Sequence, residues 1–95
     1  MNLKKIFDSN PYENEAKVYV YLDKSYTDYD VENIVSELSN LRERQFEIYT
    51  NVEHNGSGEL SFCIWVEGTD KDLEVILDEL LAPYEVVESY EYTIL

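Results

Sequence analysis

The order in which hydrophobic periods follow one another predicts an α+β fold: a four-stranded antiparallel sheet with two helices on one face. Three observations carry this. Residues 17–22, 45–53 and 59–67 alternate apolar and polar side chains with period two, as half-buried strands do. Stretches of helical period follow the first and third of these. A β-rich stretch, "YEVVESYEYTIL", comes last and completes the order βαββαβ.

In "KVYVYL", Val18, Val20 and Leu22 share one face and Tyr19 and Tyr21 the other, so both faces are partly covered. "SYTDYD" supplies turn and capping residues, after which Val31, Ile34, Val35, Leu38 and Leu41 recur at helical spacing. Glu32, Glu37 and Glu43 fall outside that stripe, which predicts an amphipathic helix over about residues 29–43. "QFEIYTNVE" puts Phe46, Ile48, Thr50 and Val52 on one face and Glu47, Tyr49, Asn51 and Glu53 on the other. "HNGSG" at 54–58 signals a hairpin, because Asn and Gly tolerate the positive φ of a tight turn. The returning strand "ELSFCIWVE" directs Leu60, Phe62, Ile64 and Val66 inward and Ser61, Cys63 and Trp65 away.

"GTDKD" opens the second helix with Thr69 as N-cap; Asp70, Asp72 and Glu74 occupy its first turns, where the helix dipole favours negative charge. Leu73, Ile76, Leu77, Leu80 and Leu81 form its apolar stripe, and Pro83 ends it. The facing of the last strand stays open, since Val86 and Val87 are adjacent and a bulge would shift the register. The simplest closed arrangement of these elements is ferredoxin-like, with the first and third strands central and their inward residues meeting both helix stripes. The expected organisation is a single domain over 1–95, with 1–15 as an N-terminal extension and 16–95 as the βαββαβ core.

The chain has 95 residues and 44% hydrophobic content, enough for one core and too much for a disordered chain. Its single cysteine, Cys63, excludes an internal disulfide and a multi-cysteine metal site, and fits a reducing, cytoplasmic compartment. The start, "MNLKKIFDSNPYENE", lacks the apolar run of a signal peptide, and no stretch approaches the roughly 20 apolar residues of a membrane span. Net charge is −14, from 21 acidic and 7 basic residues; residues 1–27 are neutral, whereas residues 69–95 sum to −7. Such a surface repels nucleic acid and anionic lipid and attracts basic protein surfaces. The expected partner is therefore a protein with a basic nucleic-acid-binding surface, with no direct nucleic acid and no membrane.

In the predicted layout the helix-free face displays Tyr19, Tyr21, Tyr49, Cys63 and Trp65, with Lys17, Glu47 and Glu67 nearby and Tyr90 or Tyr92 as further candidates. Covering several aromatics of about 150–250 Å² each contributes several kcal/mol at ~25 cal/mol per Å². Three coverings compete. The N-terminal Leu3, Ile6 and Phe7 could fold across the sheet; a second copy or another protein could bind there; or bases could stack, as in the RNA-recognition fold of the same topology. The glutamates among the aromatics and the missing basic stripe disfavour the last.

No catalytic signature occurs. His54 lies in the hairpin turn with only Glu53 beside it, and Cys63 lies mid-strand without a histidine or helix N-terminus to activate it, so the readings are a turn residue and an inert thiol. "DKDLE" at 70–74 spaces carboxylates like the opening of a calcium loop, but Val75 and Leu81 stand where the glycine and distal glutamate belong. A non-enzyme without metal or cofactor is expected. The acidic residues Asp70, Asp72, Glu74, Asp78, Glu79, Glu85, Glu88 and Glu91 are either a solvated face or a functional field. Carboxylates spread along a surface can take the positions of phosphates in a basic channel.

Small size, strong acidity, a tyrosine-rich α/β pattern and no catalytic signature resemble the phage-encoded inhibitors that block CRISPR effectors, restriction enzymes or uracil-DNA glycosylase by mimicking DNA. The chain is also similar in character to the acidic ferredoxin-like inhibitor of ribonuclease E. These groups share no motif, so no residue role carries over. The resemblance implies an anti-defence inhibitor, such as an anti-CRISPR, acting in the host cytoplasm; the eight acids above are the expected partner-binding face. The alternative is a structural or regulatory module that forms a homodimer, or binds a protein, through Tyr19, Tyr21, Tyr49 and Trp65.

Overall fold

Ten residues of alternating pattern form β1 (Glu13–Leu22), whose even members are wholly buried from Ala16 to Val20. α1 (Asp28–Ser39) follows, then β2 (Phe46–Ile48), β3 (Glu53–His54), β4 (Glu59–Glu67), α2 (Asp70–Leu81) and β5 (Val87–Ile94). This is a computed structural model, and it describes residues 13–95. The expected cover by Leu3, Ile6 and Phe7 lies outside the described residues.

The fold is α+β, with two helices and an antiparallel sheet in the order β2–β4–β1–β5, β3 also pairing with β4. Both helices feed one core, in which Ile34 and Leu38 of α1 and Leu73 and Leu77 of α2 meet Val18, Val20, Phe62 and Ile64 of the central strands. No helix among the described residues is long and apolar enough to cross a membrane.

Among the described residues five strands stand where four were expected, because the segment 45–53 is broken. Ile48 pairs with Ile64 and Glu53 with Ser61, so four edge residues face two on β4. Within the break, the Cys63 N–H donates to the Thr50 hydroxyl at 2.8 Å instead of to a strand carbonyl. Thr50, expected on the core face, is exposed for this reason, while Val52 beyond the break is buried again.

Helix α1 stops at Ser39, four residues short of the expected end. The Asn40 N–H donates back to Glu37 at 3.3 Å, tightening the last turn, and its side-chain amide donates to the Ser36 carbonyl at 2.8 Å. Thr69 begins α2 as expected; the Asp72 carboxylate accepts from its N–H at 2.7 Å and its hydroxyl at 2.9 Å. Pairing of β1 begins at Glu13, opposite Glu67, inside the stretch expected as an extension.

The register of β5 resolves the facing that adjacent valines left open. Val18 pairs with Tyr92 and Val20 with Tyr90; a shift follows, after which Leu22 pairs with Val87. Tyr90 and Tyr92 therefore lie on the helix side, which corrects the expectation that one of them joins the open face. The shift lets both Val86 and Val87 reach the core despite their adjacency.

Candidate functional site

The alternation of β1 and β4 places Tyr19, Tyr21, Lys17, Cys63 and Trp65 together on the helix-free face. Each aromatic is only half-buried, and its cross-strand neighbours are polar or charged. Trp65 lies between Glu15 and Glu47, Tyr19 between Ser61 and Glu91, and Tyr21 between Glu59 and Ser89. The Lys17 ammonium sits 5.8 Å from the Tyr19 ring centroid. Tyr49 belongs to the strand break and is 42% exposed; partial burial, then the Glu15 carboxylate, raises its hydroxyl pKa. Ser61 is buried on this open face because the Asn55 side chain folds back and donates to its hydroxyl at 3.0 Å. A second copy stacking here would have to bury these carboxylates as well.

The eight acidic candidates divide. Asp70, Glu74 and Asp78 follow one another at four-residue spacing along α2, and Glu79 lies beside them; all are exposed. Asp72 is occupied at the helix N-cap, where hydrogen bonds from Thr69 hold its pKa below the ordinary carboxylate value. Glu85 falls in the turn before β5, Glu88 at the register shift, and Glu91 on the opposite, helix-free face. The two sets meet only along β5.

Among the described residues four exposed carboxylates share one arrangement that the sequence reading did not anticipate: each accepts a hydrogen bond from a tyrosine hydroxyl. Tyr92 donates to Glu74 at 2.8 Å, Tyr90 to Asp78 at 2.5 Å, Tyr84 to Glu37 at 2.6 Å and Tyr21 to Glu91 at 2.5 Å. The bond to Glu91 pushes the Tyr21 hydroxyl up to about 12. Burial, then the bonded carboxylate, raises Tyr84 and Tyr90 further, and Tyr92 is raised chiefly by its bond to Glu74.

A signal for two of these bonds was present in the spacing. Residues two apart on a strand are about 6.6 Å apart, and residues four apart on a helix rise about 6 Å, so Tyr90/Tyr92 and Glu74/Asp78 match when β5 runs antiparallel to α2. Nothing local points to Tyr84 with Glu37, which are 47 residues apart.

His54 stands edge-on to Tyr26, with ring centroids 5.9 Å apart, and Cys63 is a half-buried free thiol. Among the described residues no group of three or more His, Cys, Asp or Glu side chains is placed to hold a metal ion. A cleft of about 680 Å³ between the end of α1 and β2 is lined by Arg42, Arg44, Phe46 and Tyr49 but also by Glu43 and Glu47. One Arg42 guanidinium nitrogen is engaged by the Leu41 carbonyl at 2.6 Å. No family model, curated protein or solved structure matches the chain.

Proposed function

We propose that the protein is a non-enzymatic inhibitor that binds the basic nucleic-acid channel of another protein through carboxylates on α2 and β5. One observation carries the reading: Glu74, Asp78 and Glu91 are held in place by tyrosine hydroxyls, which are neutral donors. A lysine or arginine would also fix a carboxylate, but would cancel its charge. Tyrosine fixes it and leaves the field intact, so less side-chain entropy is lost when a cationic partner arrives.

The geometry suits a phosphate-like role. Asp70, Glu74 and Asp78 rise by about 6 Å per step along the helix axis, so three carboxylates follow one another along α2 as a regular row of negative charge. Only Lys71 offsets the eight acids of residues 69–95. We read the β2–β4–β1–β5 order as ferredoxin-like, with β2 and β3 as one broken edge strand, and the protein as a phage-type, anti-CRISPR-like factor of the host cytoplasm.

The test is competition. A CRISPR effector or other nuclease with a basic channel is titrated with the protein and labelled DNA together. The protein is expected to displace the DNA, and its own binding to weaken steeply between roughly 50 and 500 mM salt. Glu74→Gln with Asp78→Asn should weaken displacement. Binding to the enzyme that ignores both salt and DNA would refute the mimicry.

A further inference from the structure

We propose that the outer edge of β5 takes up an extended, lysine- or arginine-rich segment of the partner as an added strand; this inference rests on the acidic-binding reading above. Among the described residues β5 has one strand neighbour, β1, and ends the sheet. The Leu95 N–H donates to the Glu15 carbonyl at 2.8 Å, and in an antiparallel ladder such hydrogen-bonded pairs recur at every second residue. Lys17 with Thr93, Tyr19 with Glu91 and Tyr21 with Ser89 are therefore the bonded pairs. Tyr90, Tyr92 and Ile94 turn their N–H and C=O groups outward, which gives the run of donors and acceptors that an incoming strand uses.

Charge selects the occupant. On the helix side of this edge, Tyr92 and Tyr90 hold Glu74 and Asp78; on the other side, Tyr21 holds Glu91. Side chains of an added strand alternate between the two faces, so cations on either face meet carboxylates fixed by tyrosines. A second copy fits poorly, because two β5 edges would bring like charges against each other in chains of −14. The opposite edge offers no comparable run, being three residues and two residues on either side of a break.

Two synthetic peptides distinguish strand addition from plain charge attraction: a Lys-Thr repeat of about eight residues, matching β5, and the same sequence N-methylated at every residue, with equal charge and no N–H donors. Affinity is read by fluorescence anisotropy at low salt, and amide exchange by NMR. The unmodified peptide is expected to bind at least about tenfold tighter and to slow exchange at Tyr90, Tyr92 and Ile94. Ile94→Pro removes an outward donor and no ladder bond, so it should weaken the unmodified peptide severalfold and leave the methylated one unchanged. Equal affinities with those amides unchanged overturn strand addition and leave the acidic-binding reading standing. Failure of both peptides to bind overturns both. A dimer of the chain alone that slows the same three amides places a second copy on the edge and also overturns the proposal.

Discussion

Tyr90→Phe removes one hydroxyl and keeps the ring that packs against the core, so it isolates the bond to Asp78. A bond of this kind, half-exposed, contributes about 1 kcal/mol net, within the usual 0.5–1.5 range. At neutral pH the variant should melt roughly 4–8 °C below the parent, the shift that 1 kcal/mol produces in a domain of this size. The alkaline limb supplies the second reading. Burial and Asp78 raise the folded-state pKa of Tyr90 above its ordinary value of 10.0. The bond's contribution is therefore whole below pH 10 and is lost as pH rises toward the folded pKa. In that window the advantage of the parent over the variant shrinks, by well under the limiting ~1.4 kcal/mol per pH unit because solvent screens the half-exposed hydroxyl. The parent should lose stability more steeply above pH 10 than Tyr90→Phe, and the two curves should converge. Urea unfolding followed by circular dichroism at several pH values measures both. Equal stability at neutral pH, or parallel alkaline limbs, would refute the claim that this hydroxyl fixes Asp78.

In spectrophotometric titration Tyr21, Tyr84, Tyr90 and Tyr92 should ionise later than a free phenol; ionisation of these four at the ordinary value in folded protein would contradict the bonds. Thr50→Val deprives the Cys63 N–H of its acceptor and should cost about 1 kcal/mol, with faster exchange of the Cys63 amide as the specific readout. Gly68→Ala should cost about 2–4 kcal/mol, from strain plus the lost cap, measured by denaturant unfolding. Gly68 has φ +133°, and an added Cβ would lie 2.5 Å from the Asp72 carboxylate oxygen that caps α2.

Much of the fold was legible because burial on one face imposes a period. Val18, Val20, Leu60, Phe62, Ile64 and Val66 alternate without interruption, and each is wholly or almost wholly buried. Leu73, Leu77 and Leu81 recur at helical spacing and are buried too. What could not be read was decided by single hydrogen bonds or by register. Thr50 continues the alternation of Phe46 and Ile48, so nothing in the pattern shows that its hydroxyl replaces a carbonyl and breaks the strand. Arg42 and Leu41 look helical, yet Asn40 ends α1 first by bonding its own backbone back to Glu37. The side of the sheet that Tyr90 and Tyr92 occupy turns on one shift between Tyr21 and Leu22. Period two reports which residues share a face, and leaves undecided which face that is.

The same limit explains why acidity and tyrosine content looked like separate properties. Read along the chain, the carboxylates suggested one surface and the aromatics another, on opposite sides of the sheet. Once β5 lies antiparallel to α2, Tyr90 and Tyr92 fall opposite Asp78 and Glu74, and the two compositions become one device. The physical reason is repulsion. Carboxylates four apart on a helix repel one another, and in a chain of −14 few cations are available to relieve it. Phenol donors hold these carboxylates by hydrogen bonds without lowering the net charge, so the field survives. Trp65, between Glu15 and Glu47, and Tyr19, between Ser61 and Glu91, are half-buried members of a polar sheet face. The proposed working surface is the margin of β5, where both sets of tyrosine-held carboxylates converge on a strand that, among the described residues, has β1 as its one neighbour.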